Sequence, residues 1–277
     1  MEELAGHVAV ITGAASGIGR GMARAFAAEG MRVVLADIEP ESLETVRKEL
    51  ATDSAEVIAV PTDVSQADDL DALADRAYQE FGAVHVVCNN AGVFSSGLTW
   101  EQTLDDWRWV LGVNVMGIVH GIHSFVPRMI ESGEPGHVVN TASGAGLVSL
   151  PGTASYNVSK HAVVTLSETM AQELAARDAN IRVSVLCPGA IDTRITQSER
   201  NRPRALGSTR KTRTDERLSE MLQAGMDPDQ VGRIVVEGIR CDRFYILTHE
   251  DLRKGVELRM RTILDDGDPA AHRRRRS

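Results

Sequence analysis

The chain has 277 residues, of which 43% are hydrophobic and 25% are charged. Its 30 basic and 39 acidic residues give a formal net charge of -9, so the chain as a whole is expected to repel nucleic acid and anionic membrane surfaces. These values favour a protein with one large core that acts on a small molecule, and they argue against a nucleic-acid-binding protein.

Short runs rich in Val and Ile alternate with longer segments of helical periodicity, as is typical of a parallel sheet covered by helices on both faces. The predicted strands are His7–Thr12, Arg32–Ala36, Glu56–Val60, Val84–Cys88, His137–Asn140, Arg182–Leu186 and Phe244–Leu247. The predicted helices cover residues 17–29, 40–50, 66–80 (capped by Ser65), 101–131, 154–176 and 228–239. We therefore predict a doubly wound α/β fold of the Rossmann type, with a seven-stranded parallel sheet flanked by helices.

No linker or low-complexity stretch divides the sequence, which predicts a single domain over residues 1–264. Residues 191–223 interrupt the alternation, because they are polar, rich in arginine and show little periodicity before Leu218. They follow a strand at the carboxyl edge of the sheet, where such sheets bind ligands, so residues 190–225 are predicted to form a mobile substrate lid. An ordinary surface loop is the alternative.

The sequence contains no apolar run that approaches the ~18 residues needed to cross a bilayer, and it opens with Met1-Glu2-Glu3 instead of a basic signal region. We therefore expect a cytoplasmic protein with no membrane partner. Residues 265–277 are predicted to be a disordered tail. Its four arginines, Arg273–Arg276, are expected to be solvated, with a nucleic-acid or lipid patch as the alternative.

The cysteines and histidines indicate no metal site. The three cysteines lack CxxC spacing, which suggests neither a disulfide framework nor a zinc site, and they are predicted to be free thiols that are buried or half-buried: Cys88, Cys187 and Cys241. His120 and His123 lie three apart on a predicted helix, but no third ligand has suitable spacing. Both are interpreted as core or interface residues.

A glycine-rich turn follows the first predicted strand, in the sequence Thr12-Gly13-Ala14-Ala15-Ser16-Gly17-Ile18-Gly19, with a helix starting inside it. Glycines permit a tight turn and let backbone N–H groups approach a pyrophosphate at the positive end of a helix. The turn therefore predicts a dinucleotide site at Gly13, Ser16, Gly17, Ile18 and Gly19. A plain glycine-rich turn is the alternative.

Asp37 follows the second predicted strand, where a carboxylate can accept hydrogen bonds from the adenine ribose and repel a 2′-phosphate. This position favours NAD over NADP, although Arg20 could reach a phosphate, and a turn or cap before Pro40 is the alternative for Asp37. After the fourth strand, the stretch Asn89-Asn90-Ala91-Gly92 can tie adjacent loops together and let backbone approach a ligand. We predict cofactor contacts at Asn90, Ala91 and Gly92.

Tyr156 and Lys160 lie four residues apart in a predicted helix, so the phenol and the ammonium share one face. An ammonium and an oxidised nicotinamide would lower the pKa of the phenol from ~10 toward the range in which a general base works. Ser143 lies just past a strand, where its hydroxyl could donate to a substrate oxygen or cap a turn. Asn114 falls inside a long helix, where we expect it either to anchor a water that leads from Lys160 to solvent or to be a packing residue.

Over residues 5–248, the chain resembles the classical short-chain dehydrogenase/reductase family. The segments that carry the resemblance, in the family's order and near its spacings, are Thr12–Gly19, Asn89–Gly92, Asn114, Ser143, Tyr156, Lys160 and Pro188-Gly189. The resemblance implies an NAD-dependent oxidoreductase that interconverts a secondary alcohol and a ketone, with Tyr156, Lys160, Ser143 and Asn114 as catalytic set. Further cofactor contacts that it implies are Asp63 and Val64 at the adenine, Lys160 at the nicotinamide ribose, and Pro188, Gly189, Ile191 and Thr193 at the nicotinamide.

The substrate pocket is predicted to be mainly apolar, with Phe94, Ala145, Leu147 and Leu150 in its wall. The alternatives for the function are an NADP-preferring carbonyl reductase and a non-catalytic dinucleotide-binding sensor or interaction protein. The family resemblance also implies a homo-oligomer through the helices at 101–131 and 154–176. A charged helical stretch to Leu264 replaces the glycine-rich ending that is common in the family. Both a homodimer and a homotetramer are therefore alternatives for the oligomer.

Overall fold

The computed structural model describes residues 1–51, 56–208 and 212–270. Its strands are β1 (Val8–Thr12), β2 (Arg32–Asp37), β3 (Val57–Pro61), β4 (Val86–Asn89), β5 (Gly136–Thr141), β6 (Ile181–Cys187) and β7 (Tyr245–Leu247). Its α-helices are α1 (Gly17–Ala28), α2 (Pro40–Leu50), α3 (Ala67–Phe81), α4 (Leu104–Leu111), α5 (Gly117–Ser132), α6 (Ala154–Ala176), α7 (Arg213–Gln223), α8 (Pro228–Arg240) and α9 (Asp251–Leu264).

The seven strands form one sheet in the order β3-β2-β1-β4-β5-β6-β7, and neighbouring strands are parallel throughout. Strand β1 is buried at every position, which explains its uninterrupted apolar sequence, since helices cover both faces. The chain reverses its direction of winding between β1 and β4, and such a switch opens a crevice at the carboxyl ends of the strands. The predicted fold class is confirmed, and the crevice is where the site should lie.

Helices α1 and α8 pack on one face of the sheet with their backbones in contact. A Cβ added at Gly232 would lie 2.1 Å from the carbonyl oxygen of Gly21, and one added at Gly21 would lie 2.1 Å from the carbonyl oxygen of Pro228. Two glycines at the crossing therefore allow an approach that no other residue permits. This contact holds α1, whose first turn carries the glycine-rich sequence, against the sheet.

Replacing Gly232 by Ala is expected to lower the free energy of unfolding by about 1–3 kcal/mol, because the two helix backbones must move apart. Urea denaturation measures the change. The matched control is Gly112→Ala, since a Cβ at Gly112 meets nothing within 4 Å. Alanine is the better helix former, so the control should retain or gain stability. A Gly232→Ala protein as stable as the parent would contradict the close helix contact.

The helix predicted over residues 101–131 is divided in the structure. Thr103 caps α4 through a reciprocal pair of hydrogen bonds, in which its hydroxyl accepts from the Asp106 N–H at 3.1 Å and the Asp106 carboxylate accepts from the Thr103 N–H at 2.8 Å. This cap starts the helix at Leu104. A π-helical turn over Gly112–Met116 then separates α4 from α5. Such a turn holds an extra residue and often marks a functional site.

By length and composition, the stretch Leu104–Ser132 contains an 18-residue window that is apolar enough to cross a bilayer. The sequence-based expectation had found no such run. Half of that window is buried inside the fold, and Ile118, Phe125 and Met129 are almost fully enclosed in the core. Packing against the sheet thus accounts for the buried half of this window.

The segment predicted as an irregular lid contains two 3₁₀ turns, at Ile195–Asn201 and Arg204–Leu206, and the helix α7. The prediction of little periodicity before Leu218 was wrong, because α7 starts at Arg213 behind a capping box of Thr212 and Asp215. The charged stretch after β7 is the helix α9, as expected. Residues 271–277, with the predicted disordered tail's four arginines, lie outside the described residues.

Two local predictions need correction. Helix α3 is preceded by Gln66 and not by Ser65, whose hydroxyl instead donates to the Asp63 carboxylate at 2.7 Å. Cys88 and Cys187 are buried as predicted, but Cys241 is exposed, because it follows the last turn of α8 at the surface.

Candidate active site

A cavity of about 700 Å³ opens at the carboxyl ends of β1, β2, β4, β5 and β6. Most of the residues predicted for the site lie in its wall, namely Gly13, Ser16, Gly17, Ile18, Asp37, Asp63, Val64, Asn90, Ala91, Gly92, Phe94, Ser143, Ala145, Leu150, Tyr156, Lys160, Pro188, Gly189, Ile191 and Thr193. The fold therefore brings the predicted dinucleotide, catalytic and substrate residues into one cavity. Gly19, Asn114 and Leu147 are not in the wall.

The glycine turn adopts backbone conformations that other residues rarely take. Gly13 and Gly17 have φ values of 67° and 53°, in the left-handed region. Gly19 contributes by close packing, since a Cβ there would lie 2.1 Å from the carbonyl oxygen of Gly13. The turn leads into α1 at Gly17, where the first N–H groups of a helix lack partners within the helix. This end of the cavity is suited to an anion such as a pyrophosphate.

Thr12 and Asn90 join the ends of β1 and β4. The Thr12 hydroxyl accepts hydrogen bonds from the N–H groups of Asn90 at 2.9 Å and Ala91 at 3.1 Å. The Asn90 amide donates to the Thr12 carbonyl at 2.9 Å and accepts from the Thr141 hydroxyl at 3.2 Å. Sequence reasoning missed Thr12 as a site residue, although its place at the end of β1 before the glycines was the available signal.

Asp37 ends β2 with its carboxylate held in place by backbone donors. One oxygen accepts from the Ala15 N–H at 2.9 Å and the other from the Glu39 N–H at 3.0 Å. Burial raises the pKa of Asp37, and these donors act in the opposite direction. The residue therefore has the turn role considered as an alternative and also faces the cavity. Arg20, which could have reached a phosphate, instead donates to Glu49 at 2.5 Å and lies outside the wall.

Helix α6 places Tyr156 and Lys160 on the side that faces the cavity. The Tyr156 ring packs edge-on against Phe94, with 5.1 Å between the ring centroids, and the Lys160 ammonium lies 5.6 Å from the Tyr156 ring centroid. Lys160 is 3% exposed and donates to the Thr141 carbonyl at 2.9 Å. The predicted common face of the phenol and the ammonium is present.

Burial controls the ionisation of both groups. It lowers the pKa of Lys160 to about 8 and raises the pKa of Tyr156, while the nearby Ser143 hydroxyl acts to lower the latter. The sequence predicted a lowered pKa for this phenol in the presence of an ammonium and an oxidised nicotinamide. The protein alone instead raises the pKa of Tyr156, because desolvation disfavours the phenolate.

Asn114 lies in the π-helical turn and is fully buried. Its amide oxygen accepts from the Val93 N–H at 2.8 Å, and its amide nitrogen donates to the Val93 carbonyl and to the Ser159 hydroxyl, each at 3.0 Å. Ser159 in turn donates to the Tyr156 carbonyl at 2.8 Å. The side chain thus joins the loop after β4 to α6, as the packing alternative described, and a water path from Lys160 past Asn114 stays a prediction.

The loop after β6 closes the cavity between the glycine turn and α9. The carbonyl of Pro188 accepts from the Gly144 N–H at 2.8 Å, and the Gly189 N–H donates to the Thr248 hydroxyl at 3.0 Å. Thr193 lies close to the glycine turn: a Cβ added at Gly17 would be 3.0 Å from its methyl group. The predicted nicotinamide-binding segment therefore lies beside the pyrophosphate end of the site.

The substrate end of the cavity is lined by Phe94, Ala145 and Leu150 as predicted, but not by Leu147. Leu147 instead packs against the core cluster of Val163, Val164 and Val185, and Val148 lies in the cavity wall beside Ala145. Leu252 of α9 also lines this end and was missed, since nothing in the local sequence indicates that α9 returns to the site.

The segment between β6 and α8 covers the cavity and is fastened to its rim. At the dinucleotide end, Glu39 accepts from Arg200 at 2.9 Å and from the Asn201 amide at 3.0 Å. Farther along the segment, Arg202 pairs with Asp106 at 2.9 Å in a nearly buried contact. The described part of this segment therefore lies over the cavity, and its role as a mobile substrate lid stays a prediction.

Of the two histidines considered for metal binding, His123 is exposed on α5 and His120 contacts the backbone of another segment. A ring nitrogen of His120 lies 2.9 Å from the Val64 carbonyl oxygen, which ties α5 to the loop after β3. Across residues 1–51, 56–208 and 212–270, no group of three or more His, Cys, Asp or Glu residues could hold a metal ion.

Comparison with known proteins agrees with this geometry. A family model described as short chain dehydrogenase matches residues 7–204. The CLA biosynthesis dehydrogenase/reductase of Lactiplantibacillus plantarum is 31% identical over 98% of this chain and 98% of its own. The 1-deoxy-11-beta-hydroxypentalenate dehydrogenase of Streptomyces exfoliatus is 36% identical over 94% of this chain and 88% of its own. A short chain dehydrogenase/reductase from Burkholderia phymatum, solved in complex with NAD, is 44% identical, covers 97% of this chain and 98% of its own, and superposes with a TM-score of 0.95.

Proposed function

Because the chain belongs to the short-chain dehydrogenase family, we propose that it is an NAD-dependent oxidoreductase that interconverts a secondary alcohol and a ketone by hydride transfer. The observation that carries the proposal is the convergence of Tyr156, Lys160 and Ser143 in one cavity with the glycine turn and Asp37. The NAD complex of the Burkholderia phymatum relative supports the choice of cofactor.

The residues of the cavity fit a dinucleotide. The glycine turn and the first turn of α1 would hold the pyrophosphate, and the Asp37 carboxylate would accept hydrogen bonds from the adenine ribose. Asp63 and Val64 would lie at the adenine, and Asn90, Ala91 and Gly92 would line the path to the nicotinamide. This fit requires glycine at position 13, since a Cβ there would lie 2.9 Å from the Cα of Ala91. When bound, NAD supplies the acceptor for the hydride of the substrate carbon.

Tyr156 is the proposed acid/base. In the oxidation direction its phenolate takes the proton of the substrate hydroxyl, and in reduction its phenol returns that proton to the carbonyl oxygen. The Ser143 hydroxyl would hold the substrate oxygen beside the phenol. Because burial raises the pKa of Tyr156, the phenolate needs nearby positive charge. The Lys160 ammonium supplies part of it, and its remaining hydrogens would reach the nicotinamide ribose.

Asn114 acts in this scheme as a positioning residue. Through Val93 it holds the loop that carries Phe94, and through Ser159 it holds the turn of α6 that carries Tyr156. Gly92 lies beside this network, since a Cβ there would lie 3.4 Å from the Lys160 nitrogen and from the Asn114 amide oxygen.

The direct test is an assay of the purified protein with NAD and NADP against apolar secondary alcohols and ketones, followed by the absorbance of the reduced cofactor. Turnover with NAD is the expected result. Binding of NADH without turnover on a broad panel would favour the non-catalytic sensor. Tighter binding of NADPH than NADH would favour the carbonyl reductase.

Replacing Asp37 by Asn should narrow the preference for NAD over NADP in kcat/KM by about 10- to 100-fold, because the variant loses a charge-assisted hydrogen bond to the ribose and the repulsion of a 2′-phosphate. The control is Glu41→Gln, an exposed carboxylate in the first turn of α2. An unchanged cofactor ratio in Asp37→Asn would mean that another residue distinguishes the ribose.

We also propose that copies of the chain associate through the helices of residues 101–131 and 154–176, as a homodimer or a homotetramer. Large apolar side chains on these helices support this, since Leu104, Met116 and Val158 are exposed in the single chain. A cytoplasmic location is likewise kept as a prediction.

A further inference from the structure

Helix α7 crosses the substrate end of the cavity and is attached at both ends. At its start, the Ser96 hydroxyl lies 2.7 Å from both the Thr212 hydroxyl oxygen and the Asp215 carboxylate. Just past its end, the Met226 N–H donates to the Ala190 carbonyl at 2.9 Å, in the loop predicted to contact the nicotinamide. The helix is therefore a wall of the cavity, with an inner end that is buried at Leu222 near the loop of Ala190 and an outer part that is exposed to solvent.

One face of α7 lines the cavity. Its lining residues are Thr214, Arg217, Leu218, Met221 and Leu222, which follow the spacing of a single helical face. Leu222 is buried at the inner end, whereas Arg217 is exposed to solvent as well as to the cavity. At 1.5 Å per residue, the backbone of Arg217 lies about 8 Å along the helix from that of Leu222.

The Arg217 guanidinium forms no ion pair with the residues that the structure describes. The other charged residues of the cavity wall lie at the dinucleotide and catalytic end, where Glu39 already pairs with Arg200 at 2.9 Å and with Arg194 at 3.9 Å. In the part of the chain that the structure describes, no carboxylate lies within 4.0 Å of the Arg217 guanidinium. The surrounding wall is apolar and includes Leu150 and Met221. Among the described residues, the wall is thus mainly apolar and carries an unpaired guanidinium at its solvent-exposed part, which is complementary to an apolar molecule with an anionic end.

We propose that Arg217 binds a carboxylate of the substrate, and hence that the substrate is an apolar secondary alcohol or ketone with a carboxylate several bonds away from the reacting carbon. A guanidinium can hold a carboxylate through two parallel hydrogen bonds, which fixes orientation as well as adding affinity. The inference deepens the proposed function and rests on it for the chemistry at the reacting carbon. The paired carboxylate would direct the apolar chain inward along α7 toward Tyr156.

The experiment compares hydroxy acids that carry a secondary alcohol next to their terminal methyl group, in a series of increasing chain length, with their methyl esters. Oxidation of each pair is followed with NAD in the parent, Arg217→Gln and Arg217→Lys proteins. We expect Arg217→Gln to lower kcat/KM for the best acid by about tenfold, mainly through KM, and to change that of the matching ester by less than about twofold. Arg217→Lys should recover part of the loss, since it restores the charge without the planar fork.

Arg213→Gln is the matched control, because Arg213 lies on the same helix and is exposed outside the cavity wall. It should leave both substrates unaffected. A loss in Arg217→Gln that is equal for acid and ester, or no loss for either, would overturn the assignment of Arg217.

Calorimetric titration of the hydroxy acids into the protein with bound NADH separates the two levels of inference. Binding of the acid that weakens in Arg217→Gln, in a protein that oxidises neither acid nor ester, would support the carboxylate site while counting against the proposed oxidoreductase function. Turnover of the esters, together with equal affinity for the acid in the parent and Arg217→Gln proteins, would support the oxidoreductase function and count against the carboxylate site.

Discussion

Tyr156→Phe is expected to lower kcat by about 10³-fold while leaving the affinity for NADH nearly unchanged. The substitution removes only the hydroxyl that exchanges the proton with the substrate. The ring contact with Phe94 and the backbone bond from Ser159 to residue 156 both remain possible. Initial rates with the best alcohol of the panel give kcat, and the quenching of protein fluorescence on titration with NADH gives the affinity.

A second tyrosine provides the control for this prediction. Tyr245 is exposed on β7, and its hydroxyl donates to the Glu168 carboxylate at 2.5 Å, outside the cavity wall. Tyr245→Phe should therefore turn over substrate at the parent rate. Retained turnover in Tyr156→Phe would show that another group exchanges the proton.

Lys160→Met is expected to abolish turnover and, at neutral pH, to raise the free energy of unfolding. Burial lowers the pKa of Lys160 from 10.5 to about 8, which corresponds to about 3 kcal/mol of destabilisation when the lysine is charged in both states. Methionine removes this penalty but leaves the Thr141 carbonyl without its donor, at a cost of about 1 kcal/mol. The free energy of unfolding of Lys160→Met is therefore expected to exceed that of the parent by about 2 kcal/mol at pH 7.

The pH dependence distinguishes this origin from a general effect of methionine. Below pH 8 both states carry the charge, so the penalty is fully present. Between about pH 8 and 10.5 the folded protein binds fewer protons at Lys160 than the unfolded chain, so the stability of the parent rises with pH relative to the variant. Urea denaturation of both proteins across this range measures the convergence. Lys48→Met, at a lysine that is 70% exposed, should show no such dependence, and a constant difference for Lys160→Met would contradict the burial explanation.

The fold and the dinucleotide end of the site could be predicted because their signals are local. The buried strands appear as uninterrupted apolar runs, and the eight residues Thr12–Gly19 indicate the left-handed conformation of the glycine turn. Asp37 was identified from its place at the end of a strand. Each of these inferences needed only a short window of sequence and the geometry of a parallel sheet.

The substrate end could not be predicted to the same depth because it is made by contacts between distant segments. Ser96 meets Asp215, at the start of α7, across 119 positions of the chain, and Arg202 of the covering segment meets Asp106 of α4. No periodicity indicated that Leu252 of α9 returns to the cavity. The π-helical turn around Asn114 was also missed, since its residues are compatible with an ordinary helix and only the packing of the amide against Val93 and Ser159 favours the extra residue.

The residues that hold α7 in place are different from the residues of α7 that line the cavity. Its ends are fixed by Ser96 and by the backbone of Ala190, neither of which depends on the side chains that face the cavity. Thr214, Arg217, Leu218 and Met221 can therefore be exchanged without loosening the wall, whereas Gly13 and Gly19 cannot acquire even a methyl group. In this architecture, new substrate ranges should evolve, or be engineered, by changing a single helical face while the cofactor half stays constant.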